Sequence, residues 1–168
     1  MKKNDALAKG YAAAREIARE AGALALDYFR HRDALVVETK GVSDYVTRAD
    51  RDVENAIRSA LAARFPQDAF LGEETAASFV PGTGGTWVVD PIDGTHNFLR
   101  GVPYWNVAIG YVENGRTEIG VVCDPCSDAL YHARRGQVAW CTSAARDARL
   151  AVAATRELAG SYIALGHH

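Results

Sequence analysis

An asparagine and a glycine between two apolar runs restrict the fold of this chain more than any other feature of its sequence. Asn114 and Gly115 separate the apolar residues 105–112 from the apolar residues 117–123. Asn-Gly readily adopts the positive φ angles of a two-residue hairpin turn, so the two runs are predicted to pair as antiparallel strands. The second half of the chain is therefore predicted to contain an antiparallel sheet.

The rest of the chain divides into two helices and several short strands. Apolar residues spaced by three or four predict a first helix, whose buried face would hold Leu7, Tyr11, Ala14, Ile17, Ala21, Leu24 and Tyr28. A second helix is predicted from about Arg48 to Arg64, with Thr47 and Asp50 as a capping box and Pro66 as its stop. Further strands are predicted at residues 34–38, 69–71, 86–89, 129–133 and 137–141, and loops at residues 40–44 and 81–85. Two helices followed by such a sheet predict an α+β fold.

Composition narrows the function. The 168 residues are 48% hydrophobic and 24% charged, which is ordinary for a globular domain. The formal net charge of −2, without a basic stripe, argues against a nucleic-acid or membrane-surface partner. No apolar run approaches the length of a membrane span, and three cysteines, an odd count, suit reduced thiols. We therefore expect a cytoplasmic location.

Two acids stand where an apolar strand is predicted to end. Asp90 and Asp93 flank a proline and an isoleucine. Pro91 has no N–H with which to continue a strand ladder, so a turn is predicted that brings Asp93 back near Asp90. Gly94 permits a close backbone approach, and a helix beginning at Gly94 and Thr95 would point free N–H groups at an anion.

Like charges so placed repel each other by roughly 4 kcal/mol at about 4 Å and an effective dielectric near 20. One acid could hold a proton, a cation could lie between the two, or both could simply accept hydrogen bonds in a turn and a cap. Oxygen ligands without a nearby histidine pair favour Mg²⁺ over zinc. A cation beside an anion site would suit phosphoryl transfer or hydrolysis assisted by two metal ions.

Three motifs with acidic residues occur in a fixed order along the chain. They are Asp44-x-Val46-Thr47-x-x-Asp50, Gly72-Glu73-Glu74, and Asp90-Pro91-Ile92-Asp93-Gly94-Thr95 with Asn97-Phe98 behind it. Their order and spacing resemble the signature of the inositol monophosphatase family, Mg²⁺-dependent and lithium-sensitive phosphatases. The resemblance runs from the first helix to about Ala153. It implies a layered αβαβα sandwich, of which this chain would cover mainly the first, N-terminal α+β domain.

The resemblance also implies a role for each matching residue. The metal ligands would be the carboxylates of Glu73, Asp90 and Asp93 and the carbonyl of Ile92, holding two or three Mg²⁺ ions, with Mn²⁺ as a substitute. The catalytic set would be Thr95, Asp50 and Glu73, with Thr95 and Asp50 orienting the attacking water. The substrate-binding set would be Glu73, Ile92, Asp93, Gly94 and Thr95, with the Gly94 and Thr95 N–H groups cradling the phosphate. Lys40 falls near a family lysine close to the metals.

The implied reaction is hydrolysis of a small phosphorylated alcohol, with inositol monophosphate as the default substrate and a homodimer as the expected assembly. Histidinol phosphate, fructose bisphosphate and phosphonucleotides remain open as substrates. A different class of function also remains open, a non-catalytic binding or regulatory module, or a fragment, that keeps the fold. One observation favours this non-catalytic alternative: none of the three tryptophans is followed by the aspartate of a later family motif.

The missing motif also bears on domain organisation. We expect residues 1–153 to form a metal- and phosphate-binding domain and residues 154–168 to begin a second domain that is otherwise absent. The second domain of the family holds most contacts with the substrate alcohol. The 168-residue chain alone is therefore expected to bind metal weakly and to hydrolyse little.

Overall fold

The structure is a computed structural model that describes residues 2–34, 37–41, 44–75 and 82–161, with only the backbone described at 2–3, 34, 37–41 and 44–47. The helices are α1 (Lys2–Arg30), α2 (Arg48–Arg64) and α3 (Thr95–Leu99), and short 3-10 turns cover Arg32–Ala34 and Leu158–Gly160. The strands are β1 (Val37–Gly41), β2 (Asp44–Thr47), β3 (Ala69–Gly72), β4 (Thr86–Asp93), β5 (Asn106–Glu113), β6 (Arg116–Asp124), β7 (Ala129–Arg134), β8 (Trp140–Thr142) and β9 (Asp147–Arg149). Within the described residues, no helix combines the length and the apolar character that a membrane crossing requires.

Seven of the strands form one sheet in the order β3-β4-β5-β6-β7-β8-β9. β3 runs parallel to β4, and each of the other neighbouring pairs is antiparallel. The predicted hairpin is confirmed, since Glu113 pairs with Arg116 across a turn in which Asn114 and Gly115 have φ angles of 52° and 70°. The predicted α+β class is confirmed as well.

Helices cover one face of this sheet. α1 lies against β5, β6 and β7, while α2 lies against β4 and against α1. Burial alternates along the strands, so that Trp87, Val89, Val107, Ile109, Ile119 and Val121 point into the core shared with the helices. On the opposite face, Val88 and Tyr131 are 38% and 42% exposed. The two faces are therefore chemically distinct.

Three sequence-based assignments are wrong in detail. Of the predicted strand at residues 34–38, Val37 and Glu38 lie in β1, whereas Ala34 belongs to a 3-10 turn. The predicted loop at residues 40–44 is wrong at residues 40, 41 and 44, which lie at the ends of the paired strands β1 and β2. The predicted strand at residues 137–141 is reduced to β8, because the N–H of Gln137 closes a turn onto the carbonyl of Arg134.

Candidate active site

The acidic motif lies on a bulge in β4. Asp90 pairs with Ala108 and Asp93 pairs with Asn106, so Pro91 and Ile92 together face a single residue of β5. The predicted turn at Pro91 is therefore wrong: the strand continues to Asp93, because a bulge tolerates a residue that has no N–H to donate.

The bulge decides where the two acids point. In a regular strand, residues three positions apart lie on opposite faces of the sheet. The extra residue brings Asp93 back to the face of Asp90, and burial agrees, since Pro91 and Ile92 are both buried between the two half-buried acids. Both carboxylates therefore lie on the face that carries exposed Val88, away from the helices.

Glu73 reaches the same place from the neighbouring strand. β3 is parallel to β4 with Gly72 opposite Val89, and the N–H of Glu73 donates to the Val89 carbonyl at 3.1 Å. The end of β3 thus lies beside Val89 of β4. Glu73, the next residue after β3, is therefore beside Asp90, the next residue of β4. This is how acids 17 residues apart in sequence become neighbours.

The pKa of Asp90 reflects the proximity of these acids. Burial raises the pKa of Asp90 to about 8, and the charge of Glu73, a hydrogen bond with its carboxyl group and the charge of Asp93 act in the same direction. Among the described residues, the Oδ1 atom of Asp90 is buried and has no hydrogen-bond partner. A buried acceptor left open beside two further acids is typical of a site that binds a ligand.

Asp93 is oriented by its cross-strand neighbour. The Asn106 side-chain amide donates from Nδ2 to Asp93 Oδ2 at 2.9 Å. Asn106 was not identified from the sequence, because its relation to Asp93 depends on the register of the bulge.

Gly94, Thr95 and Ile92 form a compact turn after the strand. Gly94 has φ 94°, and a Cβ atom there would lie 3.1 Å from the Tyr104 carbonyl oxygen, so only glycine fits well. The predicted helix begins at Thr95 but is only five residues long. The Thr95 hydroxyl donates to the Ile92 carbonyl at 3.0 Å, which connects two of the predicted site residues directly.

Asp50 is the third residue of α2 and is 2% exposed. The strand that leads into this helix, β2, lies against α3, so the first turn of α2 approaches the element that carries Thr95. The side chains of Lys40 and Thr47 lie outside the described residues. The predicted capping box and the predicted lysine therefore stay predictions.

Sequence reasoning missed Glu54. Its fully buried carboxylate accepts hydrogen bonds from the Glu74 N–H at 2.8 Å and from the Thr75 hydroxyl at 2.7 Å. An acid between Val53 and Ile57, on the apolar face of α2, was the available signal.

The donor atoms around Asp90 suit a hard divalent cation, since they are carboxylate and carbonyl oxygens. Among the described residues, however, no three His, Cys, Asp or Glu side chains are already arranged as a cation site. The donor chemistry fits Mg²⁺, and ion binding would need the carboxylates to adjust.

Comparison with known proteins agrees with this geometry. A family model described as "Inositol monophosphatase family" matches residues 6–166. The chain is 37% identical over 149 residues to the Nus factor SuhB of Haemophilus influenzae, covering 89% of this chain and 54% of that protein. It is 42% identical over 125 residues to the histidinol-phosphatase of Chlorobaculum parvum, covering 74% and 48%.

Among solved structures, the extragenic suppressor protein suhB from Bartonella henselae superposes with a TM-score of 0.79 at 34% identity, covering 87% of this chain and 55% of that one. The chain thus spans about half the length of the relatives it matches. The family match extends over nearly all of its residues, and the chain belongs to the inositol monophosphatase family.

Proposed function

We propose that this chain is the metal- and phosphate-binding part of a Mg²⁺-dependent phosphatase that hydrolyses a small phosphate monoester. The observation that carries the proposal is the meeting of Glu73, Asp90 and Asp93 at one end of β3 and β4, where burial and like charges leave Asp90 with a pKa of about 8. Such a cluster is unfavourable in a structural role and useful around a divalent cation.

The carboxylates of Glu73, Asp90 and Asp93 and the carbonyl of Ile92 would hold two or three Mg²⁺ ions, and Mn²⁺ could replace them. When bound, such ions neutralise charge on phosphoryl oxygens and make a water molecule more acidic. The Ile92 carbonyl already accepts the Thr95 hydroxyl, and its second lone pair can serve an ion at the same time.

The chain's own residues would orient the reactants. The Thr95 hydroxyl, held by Ile92, can accept a hydrogen bond from the attacking water, and Asp50 would hold the same water from α2. Together with Glu73 they form the proposed catalytic set. The N–H groups of Gly94 and Thr95 would hold the phosphate, next to Glu73, Ile92 and Asp93, because the first N–H groups of a helix find no acceptor within it.

The substrate stays a proposal, with inositol monophosphate first and histidinol phosphate second, since two relatives carry the name histidinol-phosphatase. We also propose residues 1–153 as the functional domain, with residues 154–168 beginning a second one. We also propose a homodimer and a cytoplasmic location. We propose no nucleic-acid or membrane partner, which the net charge of −2 supports.

The test is metal binding by the purified chain, measured by calorimetry with Mg²⁺ and Mn²⁺, alongside phosphate release from a panel of monoesters with and without Li⁺. We expect uptake of divalent ions that Asp90→Asn reduces at least tenfold. Asp147→Asn serves as the matched control, because Asp147 is an exposed acid in β9, five strands from β4. No uptake by the unsubstituted chain would contradict the proposal and favour a non-catalytic binding module.

A further inference from the structure

Glu54 makes close contacts with the turn that carries Glu73. Its carboxylate has no exposed surface. Oε2 accepts the Glu74 N–H at 2.8 Å, and Oε1 accepts the Thr75 hydroxyl at 2.7 Å. The two donors directly follow Glu73, so α2 fixes the backbone on that side of the proposed ligand.

The same carboxylate also lies against the residue before Glu73. A Cβ atom built on Gly72 would come within 2.3 Å of Glu54 Oε2. Atoms do not approach so closely, so Gly72 leaves the space that Glu54 fills. Glu54 therefore contacts the chain on both sides of Glu73, at Gly72 and at Glu74.

An arginine compensates the buried charge. Arg58, one turn further along α2, donates from Nη2 to Glu54 Oε1 at 3.2 Å, and its guanidinium carbon lies 5.3 Å from the ring centre of Phe70 in β3. A buried carboxylate is tolerated when it is paired and fully hydrogen-bonded, which is the case here. The pair thus attaches α2 to the end of β3.

We propose that Glu54 is a positioning residue for Glu73, which sets the carboxylate of Glu73 beside Asp90 before any ion binds. The inference rests on the proposed function. Glu73 itself is exposed at its turn, so its orientation depends on the backbone that Glu54 holds. A turn fixed in advance lowers the ordering cost of binding, and partners behind metal ligands commonly change metal affinity by 10- to 100-fold.

The variant that tests this is Glu54→Gln in the full 168-residue chain. It keeps the shape of the side chain but replaces one acceptor by a donor, which faces either the Glu74 N–H or the Thr75 hydroxyl. The probe is Mn²⁺, titrated and followed by electron paramagnetic resonance. Hydrogen exchange of the amides of residues 73–75 is measured without metal. We expect Mn²⁺ affinity to fall at least tenfold and these amides to exchange faster.

A control separates positioning from general destabilisation. Ile57→Val shortens a fully buried residue of the same helix without touching the turn. It lowers stability but should leave Mn²⁺ affinity unchanged. If Glu54→Gln proves too unstable to study, Thr75→Val removes one of the hydrogen bonds to Glu54 and should weaken Mn²⁺ binding by a few fold.

The outcomes divide cleanly. Mn²⁺ affinity within twofold of the unsubstituted chain in a folded Glu54→Gln or Thr75→Val variant would overturn the positioning role and leave the proposed function standing. An equal loss in Ile57→Val would overturn it too, since the effect would then be one of stability. If the unsubstituted chain takes up no Mn²⁺, both the positioning role and the proposed function fail.

Discussion

Glu54 and Asp90 are two carboxylates withdrawn from solvent on either side of Glu73, and their surroundings are opposite. Glu54 accepts an N–H, a hydroxyl and a guanidinium group. Asp90 has a buried oxygen without a partner among the described residues and two further acids for neighbours. Buried polar groups are normally satisfied, so the first arrangement maintains the fold and the second is open to a ligand. The difference separates a supporting acid from a binding acid within one small region.

The largest effect is expected from removing Glu54, the acid whose hydrogen bonds are all satisfied by the protein. Glu54→Ala leaves the Glu74 N–H and the Arg58 guanidinium without their acceptor, and a broken buried ion pair costs about 3–5 kcal/mol. We expect the free energy of unfolding in urea to fall by that amount. Glu16→Ala, which removes an exposed partner of Arg64, should change it little.

In metal-free buffer, Asp90→Asn should have the opposite sign, raising the free energy of unfolding by about 1 kcal/mol or more. Burial and the neighbouring acids raise the pKa of Asp90 to about 8, so the carboxyl group must take up a proton on folding, whereas an amide need not. Equal losses in the two variants would contradict the distinction between the two acids.

A third buried titratable group could break the comparison, because His132 also has an unpartnered buried atom, Nε2, among the described residues. Burial lowers the pKa of His132 to about 4, helped by Arg15 and Arg19 of α1 and opposed by Asp147 of β9, while Tyr11 hydrogen-bonds its other ring nitrogen. Asp147 is the acid that acts on the pKa of His132, whereas both Glu73 and Asp93 act on that of Asp90.

The folded chain therefore holds His132 neutral, whereas the unfolded chain takes up a proton below about pH 6.5. Stability should fall by up to about 3 kcal/mol as the pH drops from 6.5 to 4, measured by denaturation at each pH. His132→Gln should flatten that dependence. An unchanged slope in this variant would assign the pH dependence to other groups. If divalent ions stabilised the chain and His132→Gln abolished that stabilisation, a single buried atom without a partner would be enough to form a metal site.

A local packing effect is expected at Gly72. Gly72→Ala places a methyl group against Glu54 and should cost about 1–3 kcal/mol, the usual range for overpacking. Combined with Glu54→Ala, the methyl group gains room, so the double variant should be less destabilised than the sum of the two single variants. Additive losses in urea unfolding would indicate that the two residues do not compete for the same space.

The sequence predicted what depends on local chemistry. The Asn114-Gly115 hairpin, both long helices and the helix beginning at Thr95 follow from turn geometry and periodicity, and all are present. The meeting of Glu73 with Asp90 was anticipated through a family resemblance, and the parallel pairing of β3 with β4 supplies its physical basis. The functional roles of these residues, and the domain boundary near residue 153, stay predictions.

What the sequence did not predict depends on distant partners. The bulge at Pro91 exists only relative to the register of β5, and the role of Glu54 depends on donors 20 and 21 residues away. An acid on a helix usually reads as a solvated charge, and a proline in a strand usually reads as its end. Both residues depart from these tendencies next to the candidate site.

The bulge in β4 implies that the interval between Asp90 and Asp93 is constrained in length. Removing one of the two intervening residues would make the strand regular. The two acids would then be two positions apart, so they would still lie on the same face of the sheet. What a deletion changes instead is the reach of the chain beyond the strand, since Gly94 and Thr95 would be drawn back by about 3 Å relative to Tyr104 and Asn106. An insertion or deletion between Asp90 and Asp93 should therefore displace the turn at Gly94 and Thr95 from the acids beside it.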